Sequence, residues 1–547
     1  MRLNPLFRFF AERVGSLEPR CPALLFLRGD RRRENPCERI ASAWPHRRCR
    51  AATKQLTLIC LLLLAAPAFA QRGQPAAAAR AQARPPVKVS VPALLLSDIH
   101  FDPFWDPAKV PQLVAAPVSE WKAVLASAPS PDQKQRFTAL QQSCQVRGTD
   151  TSYLLLDSSL KAMRKPAAGI KFVTVSGDLL AHAIQCKYYA LHHTSTLDAY
   201  RAFADKSMEF VIDELEENFP NVPVYIALGN NDSDCGDYRL DPHSEFLARI
   251  GKEVTRNLPT AERQSALDSF SAGGYYSVTL PTPIQNARLL VLNDIFMSKN
   301  YATCSGKPDP KAAVAQLEWL RQQLAEARAN KQKVWVMGHI PPGVDLYATV
   351  SKFDDVCGGH GPEMFLSSEK MADVLTENSD VVQLAIFGHT HMDEIKNLKA
   401  ESQAHDPVTP ANIDHSVAVK LVSSISPING NKPSFTVAQI DSETAVLKDY
   451  KVFAASNSTG VDALWTEEYD FAQAYHEAEF SASAISKLIS GFTADSAAKT
   501  QASQNYIHVC SVGFNSPVLQ AFWPQYVCTM SSRTRESFKS CVCGSAH

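Results

Sequence analysis

Ile386-Phe-Gly-His-Thr-His391 is an apolar run closed by two histidines one residue apart. In an extended segment, side chains at i and i+2 point the same way, so His389 and His391 address one polar focus at the end of a buried strand. The chain repeats this device. Pro92-Ala-Leu-Leu-Leu-Ser-Asp98-Ile-His100 delivers Asp98 and His100, and Lys171–Asp178 ends in Gly177-Asp178. Pro223–Asp232 ends in Asn230 and Asn231, and Lys333–Gly343 ends in His339, where two prolines stop the strand. Helical stretches separate these runs, at Thr151–Lys165, about Thr194–Glu217 and Ala312–Ala329. Alternation of this kind predicts a layered α/β domain with its ligands beyond the carboxyl ends of the strands.

Other segments fill in the organisation. Asp102–Cys144, with Phe101, Phe104, Trp105 and Trp121 among prolines, reads as an irregular excursion whose aromatics either anchor it to the core or wall a substrate pocket. Beyond Asp393 the pattern turns to strands without helices, at Val417–Ser423, Ser434–Asp441 and Thr444–Phe453. From Trp465 it reads as helical, ending in a cysteine-rich tail. The expected organisation is a leader at 1–70, a tether at 71–90, a catalytic domain at 91–455 and a C-terminal helical subdomain at 456–547.

Residues 1–70 carry 13 Lys+Arg and 5 Asp+Glu, which leaves the remainder with 42 against 51. A mildly acidic body offers no electrostatic surface for nucleic acid or anionic membrane. Arg47, Arg48, Arg50 and Lys54 precede the apolar run Leu56–Ala66, and Ala68-Phe69-Ala70 supplies small residues for signal cleavage after Ala70. Export to a secreted or periplasmic location is expected, with no transmembrane segment in the mature chain. Nine cysteines follow the leader, so several should pair and at least one should stay free or bridge to another chain. No CxxC…CxxC spacing supports a zinc knuckle.

Asp98, His100, Asp178, Asn230, His339, His389 and His391 form a set of seven N/O ligands. Alone, Asp98 or Asp178 would be a turn or helix cap and His339 an ordinary loop residue. Seven in order, each after an apolar strand, point instead to two metal ions with one bridging carboxylate. Four imidazoles argue against Mg²⁺ or Ca²⁺ and for Zn²⁺, Mn²⁺ or Fe. His182 lies four residues after Asp178, and a helical turn starting at Asp178 would set both on one face.

Asp-x-His, Gly-Asp, Gly-Asn-x-Asp, Gly-His and Gly-His-Thr-His, in this order, resemble the calcineurin-like metallophosphoesterases over roughly Ala93–Val452. Finer stretches are similar to acid sphingomyelinase and its phosphodiesterase relatives: Ser97–Asp102, Gly177-Asp-x-x-x-His182, His339–Gly343 and Ser426–Phe435. The resemblance implies a layered mixed β-sheet sandwich flanked by helices, with a C-terminal helical appendage. It also implies that Asp98, His100 and His391 hold one metal, usually zinc, and Asn230, His339 and His389 the other, with Asp178 bridging. His182 would protonate the leaving group. A bridging hydroxide would cut a phosphodiester of a small molecule or a lipid headgroup.

Two departures bear on the substrate. Asn231 stands where the family usually has His; an amide donates a hydrogen bond to phosphate but delivers no proton near neutral pH. Endopolyphosphatase-like members resemble this Gly-Asn-Asn-Asp form, which raises nucleotides and polyphosphate as alternatives. The segment between Gln71 and Val91 has no room for the saposin module that acid sphingomyelinase carries. A phosphomonoesterase and a non-catalytic binding protein on the same scaffold complete the rival readings.

Overall fold

The computed structural model describes residues 89–350, 356–400 and 415–544. The leader and the tether before Val89 lie outside them. Twelve strands form two six-stranded mixed sheets. The first runs β12(Trp465–Asp470), β11(Leu447–Ala455), β10(Ser434–Asp441), β1(Ser90–Leu96), β2(Val173–Val175) and β3(Val224–Ile226). The second runs β4(Tyr276–Thr279), β5(Ala287–Val291), β6(Lys333–Met337), β7(Val382–Phe387), β9(Ser416–Leu421) and β8(Glu394–Lys399). Within each sheet the ligand-bearing strands are parallel: β1, β2 and β3 in one, β6 and β7 in the other.

The strands sort their side chains with period two. On β6, Trp335 and Met337 enter the main core with Leu94 and Tyr276, while Val334 and Val336 enter a second core beneath the helices Pro310–Ala329 and Lys370–Glu377. Both faces of this sheet are therefore buried, as uninterrupted apolar runs require. Trp335 stands edge-on to Phe172, the residue before β2, with ring centroids 6.0 Å apart, and its indole N–H donates to Ala445 O at 2.8 Å. The layered α/β sandwich is thus present.

Two readings need correction. The Asp102–Cys144 excursion contains the helices Val110–Ala115, Trp121–Ala126 and Gln133–Ser143, and Phe101, Phe104 and Trp121 are fully buried against Phe203 and Phe210. These three aromatics are anchors rather than a pocket wall. Trp465–Asp470 is a strand paired antiparallel with β11, and helices begin only at Phe471–Tyr475. The later strands divide between the sheets, β9 joining the second and β10 and β11 the first.

Among the described residues four disulfides join Cys144–Cys186, Cys235–Cys304, Cys357–Cys543 and Cys528–Cys541, and Cys510 is free and buried. Among the described residues no helix is long and apolar enough to cross a membrane.

Candidate metal centre

All seven predicted ligands follow strand ends on one side of the sandwich, and the loops that carry them are hydrogen-bonded to one another. Asp98 N donates to Gly177 O at 3.0 Å and His100 N to Asp178 O at 2.9 Å, continuing the β1–β2 ladder past the strands. The Asp98 carboxylate accepts His389 N at 3.1 and 3.2 Å, tying the first motif to the last. Gly388 permits this approach: a Cβ there would strike Ser97 Oγ and Asp98 Oδ2. Gly229 does the same beside Asp178. These two contacts explain why glycine precedes the ligand in Gly-Asn and Gly-His-Thr-His.

The donor atoms fall into two nests. In the first, His100 Nε2 lies 3.2 Å from His391 Nε2, 3.7 Å from Asp98 Oδ1 and 3.4 Å from Asp178 Oδ2, and His391 Nε2 lies 3.5 Å from Asp98 Oδ1. In the second, His339 Nε2 lies 3.2 Å from Asp178 Oδ2 and 3.1 Å from Asn230 Oδ1, and His389 Nδ1 lies 2.9 Å from Asn230 Oδ1 and 3.3 Å from His339 Nε2. Four donors at about 2.0–2.1 Å from a tetrahedral ion sit roughly 3.3–3.4 Å from each other. The separations, 3.2–3.7 Å in the first nest and 2.9–3.3 Å in the second, scatter around that value, and Asp178 Oδ2 lies beside a ring of each.

Backbone carbonyls orient two of the rings. His100 Nδ1 faces Leu180 O at 2.8 Å and His339 Nδ1 faces Ser176 O at 2.7 Å, so each Nδ1 carries hydrogen and each Nε2 is turned inward. Burial disfavours charge on His100 and His339, yet Asp178 and Asp98 beside them outweigh it and lift the two imidazoles to about 9 and 10. Burial, reinforced by the neighbouring imidazoles and only partly offset by Asp98 and Asp178, holds His389 and His391 down at about 3 and 4. Burial also opposes the Asp178 charge, but His339 and His100 keep the carboxyl well below the usual range. Asp98 and Asp178 thus favour positive charge among these donors, a role two divalent cations would take over. The donor set fits such ions.

His182 reaches the first nest without the expected helical turn. The chain from Asp178 to Ala183 is a loop and the helix starts at Ile184. The imidazole stacks on His100 with centroids 4.0 Å apart, and a third of the side chain is exposed. Asp150, absent from the sequence reading, accepts His182 N at 2.9 Å and Nδ1 at 3.0 Å. Asp150 is buried, accepts Ser426 Oγ at 3.0 Å, and lies 3.8 Å from the buried Lys187 ammonium, which itself pairs with Asp102 at 2.7 Å. It follows no apolar strand, so only its place in Gly-Thr-Asp before a helix could have marked it.

Asn231 also touches the shared carboxylate. Its backbone N and its Nδ2 donate to Asp178 Oδ1 and Oδ2 at 2.8 and 2.9 Å, so the residue orders that carboxylate. Two further buried carboxylates were missed. Asp232 accepts Leu179 N, Leu180 N and Gly229 N at 2.8 to 3.0 Å, and Asp294 accepts His339 N and Ile340 N at 2.9 to 3.1 Å. They tie the loops after β2, β3 and β6 in register without facing a nest.

A two-layered mixed sandwich with this cluster at its strand ends is the frame of a metal-dependent phosphoesterase. The chain belongs to the calcineurin-like phosphoesterase family, whose model matches residues 91–393. Within it the chain falls with the acid sphingomyelinase-like phosphodiesterases. It is 25% identical over 456 residues to the Homo sapiens protein named acid sphingomyelinase-like phosphodiesterase 3b, covering 82% of this chain and 89% of that protein. It is 26% identical over 333 residues to sphingomyelinase phosphodiesterase D of Dictyostelium discoideum, covering 60% and 66%. It is 27% identical over 284 residues to cyclic GMP-AMP phosphodiesterase SMPDL3A of Homo sapiens, covering 51% and 58%.

Proposed function

We propose that this chain is an exported phosphodiesterase with two divalent cations, one held by Asp98, His100 and His391, the other by Asn230, His339 and His389, with Asp178 reaching both. The observation that supports this reading is the pair of four-donor nests meeting at Asp178 Oδ2. Zinc is the expected ion, and the mixed imidazole and carboxylate donors also suit manganese or iron. Cations bound there would acidify a water for attack on phosphorus and offset charge gathering on the phosphate oxygens. Asn231 fixes the Asp178 carboxylate through two hydrogen bonds. Asp150 accepts the Nδ1–H hydrogen bond of His182, so from the imidazolium the Nε2 proton is the one free to pass to the departing oxygen, leaving a neutral ring still bonded to Asp150 through Nδ1–H. Four disulfides accord with an oxidising compartment and with the signal-like segment Arg47–Ala70.

The substrate is a small-molecule or lipid-headgroup phosphodiester of the sphingomyelin type, in keeping with the names of the relatives. Asn231 favours a second reading. An amide at 231 delivers no proton near neutral pH, which leaves that task to His182 beside the first nest. Activated linkages, such as those of nucleotides or polyphosphate, ask least of it.

The test is elemental analysis with turnover. Dialysed protein should hold about two transition-metal ions per chain, and Asp178→Asn should lose bound metal and bring hydrolysis of bis-p-nitrophenyl phosphate below detection. An Asp178→Asn enzyme with normal activity contradicts the shared-carboxylate assignment. A panel of sphingomyelin, phosphatidylcholine, nucleotides and polyphosphate on metal-loaded protein separates the substrate readings.

A further inference from the structure

β8 is the end strand of the second sheet and starts three residues after His391. One of its edges pairs with β9, so the other would present unpaired amides. The C-terminal appendage covers that edge residue by alternate residue. Asp393 N donates to Cys510 O at 2.8 Å, Ile395 N to the Tyr506 hydroxyl at 3.4 Å, and Asn397 N to Met530 O at 2.8 Å. Side chains add a second layer. Asp393 Oδ1 accepts the fully buried Lys420 ammonium of β9 and the Tyr469 hydroxyl of β12, the latter at 3.0 Å. Lys420 lies over the Tyr450 ring at 4.6 Å. Glu394 Oε2 accepts the Tyr526 hydroxyl at 2.9 Å, and that hydroxyl lies 3.0 Å from the Tyr506 hydroxyl.

Only Met392 separates Asp393 from His391, and Met392 is itself buried in the main core. A displacement of Asp393 therefore carries His391 with it. We infer that the C-terminal segment braces the His389-Thr-His391 loop, with Tyr469 and Tyr506 as positioning residues that hold His391 in the first nest. This rests on the two-cation reading given above. The segment would then be a working part of cation retention rather than a cover for the sheet, because the hydroxyls act on the strand that leaves the metal loop.

The experiment uses the full chain and Tyr469→Phe, Tyr506→Phe and Ser207→Ala. The last removes a buried hydroxyl on the helix Leu197–Asn218 as a control. Zinc affinity is measured by competition with a chelator, beside thermal melting of the metal-free proteins and kcat and KM on bis-p-nitrophenyl phosphate. Each tyrosine variant should bind zinc about tenfold more weakly and lose kcat at saturating substrate, recovering when zinc is raised. The control should keep wild-type zinc affinity. Excess zinc could not rescue a general loss of folding, which separates positioning from stability. Wild-type affinity in both tyrosine variants overturns the brace alone, whereas a wild-type chain that takes up neither zinc nor manganese nor iron overturns the two-cation reading and the brace together. The hydroxyls sit on different elements, so failure of one variant to fold leaves the other to decide.

Discussion

Five of the residues that face the nests, Asp98, His100, Asp178, His389 and His391, have positive φ, between 46° and 75°. For side chains with a Cβ this left-handed region costs roughly 1–2 kcal/mol each, a strain found where function over-determines the backbone. It was not legible in the sequence, which showed that apolar runs end in ligands but not that the backbone turns sharply to bring them together. The i, i+2 argument picked out these residues through extended geometry, whereas the side chains converge through left-handed turns. Asp150 shows the other limit: its role is set by His182, Ser426 and Lys187, all distant in the chain. Asp150→Asn and His182→Ala should lower kcat on diesters with alkoxide leaving groups by about 10²–10⁴-fold, and much less on nitrophenyl esters, which need no acid. Equal losses on both ester classes would remove His182 from proton delivery and Asp150 from its orientation.

At the scale of elements, the strand-loop junction is the unit that makes the centre, and its tolerance is small. Gly388→Ala would press a methyl group onto Ser97 and Asp98, with Ser176 O at 3.1 Å. The expected result is a loss of about 1–3 kcal/mol in stability, seen by thermal melting, together with less than two bound metals per chain. An unaltered melt with full metal content would show that the loops after β1 and β7 do not need this approach. The junctions were readable because an apolar run changing abruptly to Asp, Asn or His is a local signal. Trp465–Asp470 was misread for an equally local reason. Trp465 and Tyr469 are four residues apart, a spacing compatible with both the helical period and twice the strand period, and helices do follow at Phe471. β8 was missed because Glu394, Lys396 and Asn397 are polar, their burial coming from the appendage and not from the strand's own pattern.

Across the whole molecule, the layered α/β class was legible from alternation of runs, but the division into two sheets was not. β10 enters the first sheet beside β1 although nearly 340 residues separate them, and no periodicity records such a partner. Nor does cysteine spacing give connectivity: Cys357–Cys543 spans 186 residues and, with Cys528–Cys541, fastens the helix Arg535–Cys543. Reduction should therefore lower the thermal midpoint by several degrees, each lost bond costing about 2–4 kcal/mol. A midpoint indifferent to reductant would show that these bonds close no entropy-rich loops. The partition between sheets also sets an order of events. Asp98, His100, Asp178 and Asn230 come from the first sheet, and His339, His389 and His391 from the second, so each nest takes donors from both. Neither half can assemble a four-donor site before the other has docked. On the two-cation reading, ion capture would then be a late step of maturation, and a loaded centre would certify that both halves have met in register.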